Sequence, residues 1–98
     1  MRENRFQSEL IKKLKKTFPG CFVTKLDSSI RQGVPDLLIL YRDRWATLEC
    51  KRDAKAPHRP NQDYYHEMFN EMSFSAFIYP ENEEEVINDL RKVFESGR

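Results

Sequence analysis

Long apolar runs are missing from this sequence. No stretch approaches the ~20 apolar residues that a membrane-spanning helix needs. Arg2, Glu3 and Arg5 put too much charge at the start for a secretory signal. Cysteine is scarce: Cys21 and Cys50 are the only two, and neither has a partner at metal-binding spacing. Both are expected to be packing thiols in a reducing, cytoplasmic setting. The two histidines, His58 and His66, form no zinc pattern and suggest no histidine-based general base. Helix-turn-helix, zinc-finger and recognition-arm patterns are absent, as are repeats and low-complexity tracts. These absences exclude a disulfide scaffold, a zinc module and the common sequence-reading DNA binders.

What is present fits one soluble globular domain spanning residues 1–98, with 39% hydrophobic and 34% charged residues. The net charge of +1 conceals a strong asymmetry. Residues 1–60 carry 14 Lys/Arg against 7 Asp/Glu, and residues 61–98 carry 3 against 9. Such a division suits a basic face for a polyanion. It equally suits head-to-tail pairing of subunits, or two differently solvated helices.

The periodicity gives an order of elements. Phe6, Leu10, Ile11, Leu14 and Phe18 recur at helical spacing, so a helix is expected over Glu3–Phe18, ended by Pro19-Gly20. At about 100° per residue, Glu3 falls inside that apolar stripe while Glu9 points away from it. A lone carboxylate facing the sheet needs a reason to be there. Near the chain end, it could also be frayed and solvated. Strands are expected over Cys21–Leu26, Asp36–Tyr41, Trp45–Lys51 and Phe74–Tyr79. Between the last two, Tyr65, Met68, Phe69 and Met72 predict the core stripe of a helix over Asn61–Met72, with Tyr64 and His66 outside. That helix makes a β-α-β crossover and a parallel strand pair. A final helix is expected within Pro80–Glu95, with Val86, Ile87, Leu90, Val93 and Phe94 inward. Asn82-x-x-Glu85 has the form of a capping box, and the acids around it suit the helix dipole. The result is α-β-β-β-α-β-α, a mixed four-stranded sheet flanked by helices.

The chemistry gathers in the central hairpin. Side chains alternate along a strand, so Trp45, Thr47, Glu49 and Lys51 share one face and Ala46, Leu48 and Cys50 the other. Glu49 and Lys51 are then neighbours, roughly 6–7 Å apart. Asp36 opens the preceding strand after a proline that can only start or edge one. If the two strands pair, Asp36 and Glu49 converge with Lys51 beside them. Two carboxylates and an ammonium make a site for a hard divalent cation and a phosphate. The main-chain carbonyl of Cys50 points at the same place whatever its side chain. The connection Arg52–Pro60 is basic and irregular, so Arg52, Lys55, His58 and Arg59 could follow a phosphate backbone, or form a solvated loop. Arg31, ahead of the hairpin, joins the candidate DNA contacts.

Pro35-Asp36, twelve residues, then Glu49-x-Lys51 resembles the signature of the PD-(D/E)XK nucleases, whose core is restriction-endonuclease-like. The preceding Gly33-Val34, the later Gln62 and the opening Glu3-x-x-Phe6-Gln7-x-x-Leu10 are most similar to the VRR-Nuc branch, including its stand-alone phage and bacterial members. The resemblance implies a Mg²⁺- or Mn²⁺-dependent endodeoxyribonuclease with Asp36, Glu49 and Lys51 as the catalytic set. It further implies that Glu3 supports the metal site and Gln62 supports Lys51 and the substrate phosphate. A bacterial or phage-infected cell is the implied setting. So small a domain has little surface for reading sequence, so structure-selective cutting of branched DNA or Holliday junctions is expected. Resolving a symmetric junction calls for a homodimer. No small organic cofactor is expected. The alternatives are a nicking or homing-type endonuclease, or a nucleic-acid-binding module that no longer turns over.

Overall fold

In the computed structural model, residues 2–96 are described; positions 1, 97 and 98 of the expected domain lie outside the described residues. The elements are α1 (Glu3–Thr17), β1 (Phe22–Lys25), β2 (Leu37–Tyr41), β3 (Arg44–Cys50), α2 (Gln62–Met72), β4 (Ser75–Ile78) and α3 (Glu83–Glu95). This is the expected α-β-β-β-α-β-α order. The sheet order is β1-β2-β3-β4, antiparallel across the first two pairs and parallel across β3 and β4. No helix among the described residues is long and apolar enough to cross a membrane.

The alternation read along β3 sets the two faces of the sheet. Ala46, Leu48 and Cys50 are buried with Leu37, Ile39 and Tyr41 against Leu10 and Leu14 of α1 and Leu90 and Phe94 of α3. Phe18, Tyr41 and Phe94 close one end, with ring centroids 5.2–5.7 Å apart. On the opposite face α2 covers β3 and β4, where Trp45 meets Phe69 edge-on at 6.0 Å. Burying such a layer is the main favourable term in folding a chain of this size. Part of the charge asymmetry is resolved within the molecule, since Lys13 of α1 pairs with Glu83 of α3 at 2.7 Å.

Several local expectations need correction. The turn between β2 and β3 is Arg42-Asp43 alone, because Arg44 already pairs with Tyr41. Arg42 takes a left-handed conformation (φ 58°) to make so tight a link. Helix α2 keeps Tyr65, Met68 and Phe69 of its expected stripe half-buried, but its one fully buried residue is Gln62, and Met72 is 65% exposed. His66, expected outside, lies against the Phe77 ring at 4.9 Å. The capping box does not form. Asn82 instead accepts from the Tyr79 N–H (2.8 Å) and donates to the Phe77 carbonyl (3.0 Å), tying the start of α3 to the end of β4.

Candidate active site

The two central strands part at one end of the sheet. Their last ladder pair is Leu37 with Leu48. Beyond it the Cys50 N–H, directed towards β2, donates to Asp36 Oδ2 at 2.9 Å. Pro35 is the reason the ladder stops here: it has no N–H to offer and suits a strand entry. On its other edge β3 stays paired, with the Lys51 N–H bonded to the Ile78 carbonyl at 2.8 Å. Successive peptide groups of a strand point in opposite directions, so the Cys50 carbonyl is turned towards Asp36.

Three carboxylates meet in this fork. One oxygen each from Glu3, Asp36 and Glu49 can be chosen so that all lie within 4.8 Å of one another. Glu3 comes from the first turn of α1, Asp36 from the mouth of β2 and Glu49 from the last turn of the β3 alternation. Glu49 is 5% exposed, and its Oε1 is buried without a hydrogen-bond partner. Burial, and then the neighbouring Asp36 charge, push the Glu49 carboxyl up to about 8, while Lys51 acts in the opposite direction. An orphaned buried oxygen, three hard oxygen donors and mutual repulsion among them are what a divalent cation relieves. The residues present therefore fit such an ion.

Beside the carboxylates lies a polar relay that is almost wholly buried. Lys51 Nζ donates to Gln62 Oε1 (2.7 Å) and to the Pro57 carbonyl (3.0 Å). Gln62 Oε1 also accepts from the Arg59 N–H (2.8 Å), and Gln62 Nε2 donates to Glu49 Oε2 (3.0 Å). Gln62 thus uses both ends of its amide to hold an acid and an amine at fixed positions. The first turn of α2 carries this relay, so a polar residue takes the most buried place on the helix.

A cavity of about 560 Å³ opens in front of the carboxylates, walled by Asn4 and Gln7 of α1, Ser28, Gln32 and Gly33 of the β1–β2 loop, and Arg59. A smaller one, about 180 Å³, is bordered by Glu3, Lys51, Arg52 and Arg59. The structure therefore brings Glu3, Asp36, Glu49, Cys50, Lys51 and Gln62 together, with Arg52 and Arg59 at the rim. Arg31 and Lys55 are exposed and line neither cavity. His58 is exposed, with one side of its ring stacked on Phe77 at 3.9 Å. The main-chain groups of Pro57 and Arg59 escaped the sequence reading because a peptide group leaves no trace in residue type. Cys50 is a packing thiol raised far above its usual value by burial, and Cys21 is raised more modestly by the same cause. Both are free.

No family model and no curated protein matches the sequence. Among solved structures, the chain is similar to one described as a VRR_NUC domain protein, with a TM-score of 0.69 and 18% identity. The match covers 95% of this chain and 90% of that one. At this identity the likeness is one of fold. The architecture is accordingly VRR-Nuc-like, and Asp36, Glu49 and Lys51 lie in the fork between β2 and β3.

Proposed function

We propose that this protein is a metal-dependent endonuclease that hydrolyses phosphodiester bonds of DNA. The observation that carries the reading is the meeting of Glu3, Asp36 and Glu49 within 4.8 Å, beside an amine held by Gln62. A VRR-Nuc-like fold supports the same class of activity. Asp36, Glu49, Glu3 and the Cys50 carbonyl would hold Mg²⁺ or Mn²⁺. The ion, when bound, supplies a lowered water pKa and polarisation of the phosphoryl oxygen.

The remaining chemistry belongs to the chain. Lys51 is buried and doubly anchored, so its ammonium is fixed before substrate arrives. That is the condition under which a charge placed near a developing phosphorane lowers the barrier most. Its charge also orients a water on its way to phosphorus. Gln62 keeps Lys51 from collapsing onto Glu49, so that acid and amine serve separate roles. Arg52 and Arg59 at the rim are placed to hold the flanking phosphates.

Structure-selective cutting of branched DNA is the preferred substrate reading, since so small a domain offers little surface for reading sequence. Two copies would present two such sites to a four-way junction. The strip formed by Phe22 and its cross-strand partner Leu40, on the sheet face beyond the reach of α2, is the surface we assign to that pairing. A reducing cytoplasm is the proposed setting.

Incubation with plasmid, linear duplex and four-way-junction DNA, with Mg²⁺, Mn²⁺ or chelator, tests the reading. Metal-dependent cleavage confined to the junction supports it in full. Nicking of plasmid keeps the nuclease but removes branch selectivity. Binding by folded protein without cleavage in either metal overturns the enzyme.

A further inference from the structure

We infer that His58 is a positioning residue: its stacking on Phe77 fixes the loop whose main chain orients Lys51 and Gln62. The inference rests on the nuclease reading above and deepens it. It replaces the expectation that His58 touches phosphate.

The connection from β3 to α2 has no helix or strand, yet two of its peptide groups serve the relay. The Pro57 carbonyl accepts from Lys51 Nζ, and the Arg59 N–H donates to Gln62 Oε1. His58 is the residue between them. Its imidazole lies nearly parallel to the Phe77 ring, with centroids 3.9 Å apart and planes 13° apart. Its Nδ1 stands 2.7 Å from Asp63 Oδ1 in the first turn of α2.

The anchor is well placed. Phe77 is the β4 residue opposite Glu49 in the parallel register, so the loop is fastened to the strand position beside the metal carboxylate. His66 of α2 approaches the same ring at 4.9 Å and holds it from the helix side. A shift at His58 is passed through its own two peptide bonds to Pro57 and Arg59, and so to the carbonyl that accepts from Lys51 and the N–H that donates to Gln62.

Of the two contacts, the stacking should dominate. The partners of the Asp63 pair are 40% and 69% exposed, and exposed pairs contribute little. Ring shape, more than charge, is therefore what position 58 requires. A phosphate contact would require the reverse.

Three variants separate these roles: His58→Ala, His58→Phe and Asp63→Ala. Cleavage with Mn²⁺ gives kcat and KM for DNA, and amide hydrogen exchange at Arg59 is followed in substrate-free protein. His58→Ala should lower kcat on the order of tenfold with KM within about twofold, as expected for a displaced catalytic group. It should also speed exchange at Arg59. His58→Phe should restore both, and Asp63→Ala should stay near the wild type. A raised KM with unchanged kcat and a shallower salt dependence in His58→Ala would make the residue a phosphate contact and overturn the inference. Unchanged Arg59 exchange in His58→Ala, or a Phe variant as impaired as Ala, overturns it too. Should the wild type cut no DNA, the nuclease reading fails, while the exchange measurement still decides whether His58 holds the loop.

Discussion

Gly33 lies so close to Asn61 that a Cβ added to it would sit 2.5 Å from the Asn61 Cβ, with the Pro60 carbonyl oxygen at 2.8 Å. Both residues are in left-handed conformations, Gly33 at φ 94° and Asn61 at φ 70°. The contact joins the loop before Asp36 to the residue before Gln62. Two walls of the candidate site thus meet where only a glycine fits. Gly33→Ala must move one of them, and we expect a loss of about 1–3 kcal/mol from left-handed strain plus the steric conflict. Chemical denaturation reads the stability. Cleavage should fall with it, because Asn61 cannot shift without Gln62.

Gln62→Ala removes the shared partner of Lys51 and Glu49. Lys51 keeps the Pro57 carbonyl, but Glu49 loses its bond to Gln62 Nε2 while its other oxygen is already orphaned. Leaving buried polar groups unpaired should cost about 1–3 kcal/mol in metal-free protein. A fall in kcat larger than any change in KM is expected in a cleavage assay, since the loss is one of placement.

The metal-free protein should lose stability as pH rises. The Glu49 carboxyl is raised by burial and by Asp36 from its ordinary 4.5 to about 8 in the folded state. Between those values the folded chain holds a proton that the unfolded chain has released. The stabilisation is complete below the unfolded value, declines as pH rises towards about 8, and levels off above it. Thermal melts in chelator from pH 5 to 9 should show this decline, and saturating Mn²⁺ should flatten it.

Glu49→Gln should separate stability from activity. Without metal at pH 8 the variant removes a repelled charge yet keeps a polar group at the site, so it should melt above the wild type. Its metal-dependent cleavage should fall on the order of 10²-fold or more, as when a charge-stabilising group is lost. Asp36→Asn should match it in activity.

The proposed pairing of two copies through Phe22 and Leu40 has its own check. Phe22→Asp should shift the protein towards monomer in light scattering while leaving the fold, read by circular dichroism, intact. A monomeric wild type at cleavage concentrations would remove the paired-site reading of junction cutting.

Much of this molecule was legible in the sequence, for reasons visible at particular residues. Leu10, Leu14 and Leu90 obey helical periodicity because they face a core that accepts nothing else. The strand alternation placed Glu49 opposite Leu48 and Cys50, and the proline before Asp36 marked where the ladder ends. In α2 the spacing of Tyr65, Met68 and Phe69 marks the inward side, but it does not show that His66 lies against Phe77 or that Met72 is exposed, because apolar spacing carries no signal for a polar ring packed on another element. Asn82 has the residue type of a cap, but tertiary bonds to β4 claimed its side chain. His58 reads as a phosphate contact or part of a solvated loop because Phe77, its stacking partner, is nineteen positions away and on another element.

The most direct test of the central claim is anomalous diffraction from crystals grown with Mn²⁺. The account predicts a manganese peak within bonding distance of Asp36, Glu49 and the Cys50 carbonyl, with Glu3 directly or through water beside it, and no such peak in Glu49→Gln. Crystals that hold manganese elsewhere, or none at this fork at a concentration that saturates cleavage, would contradict it.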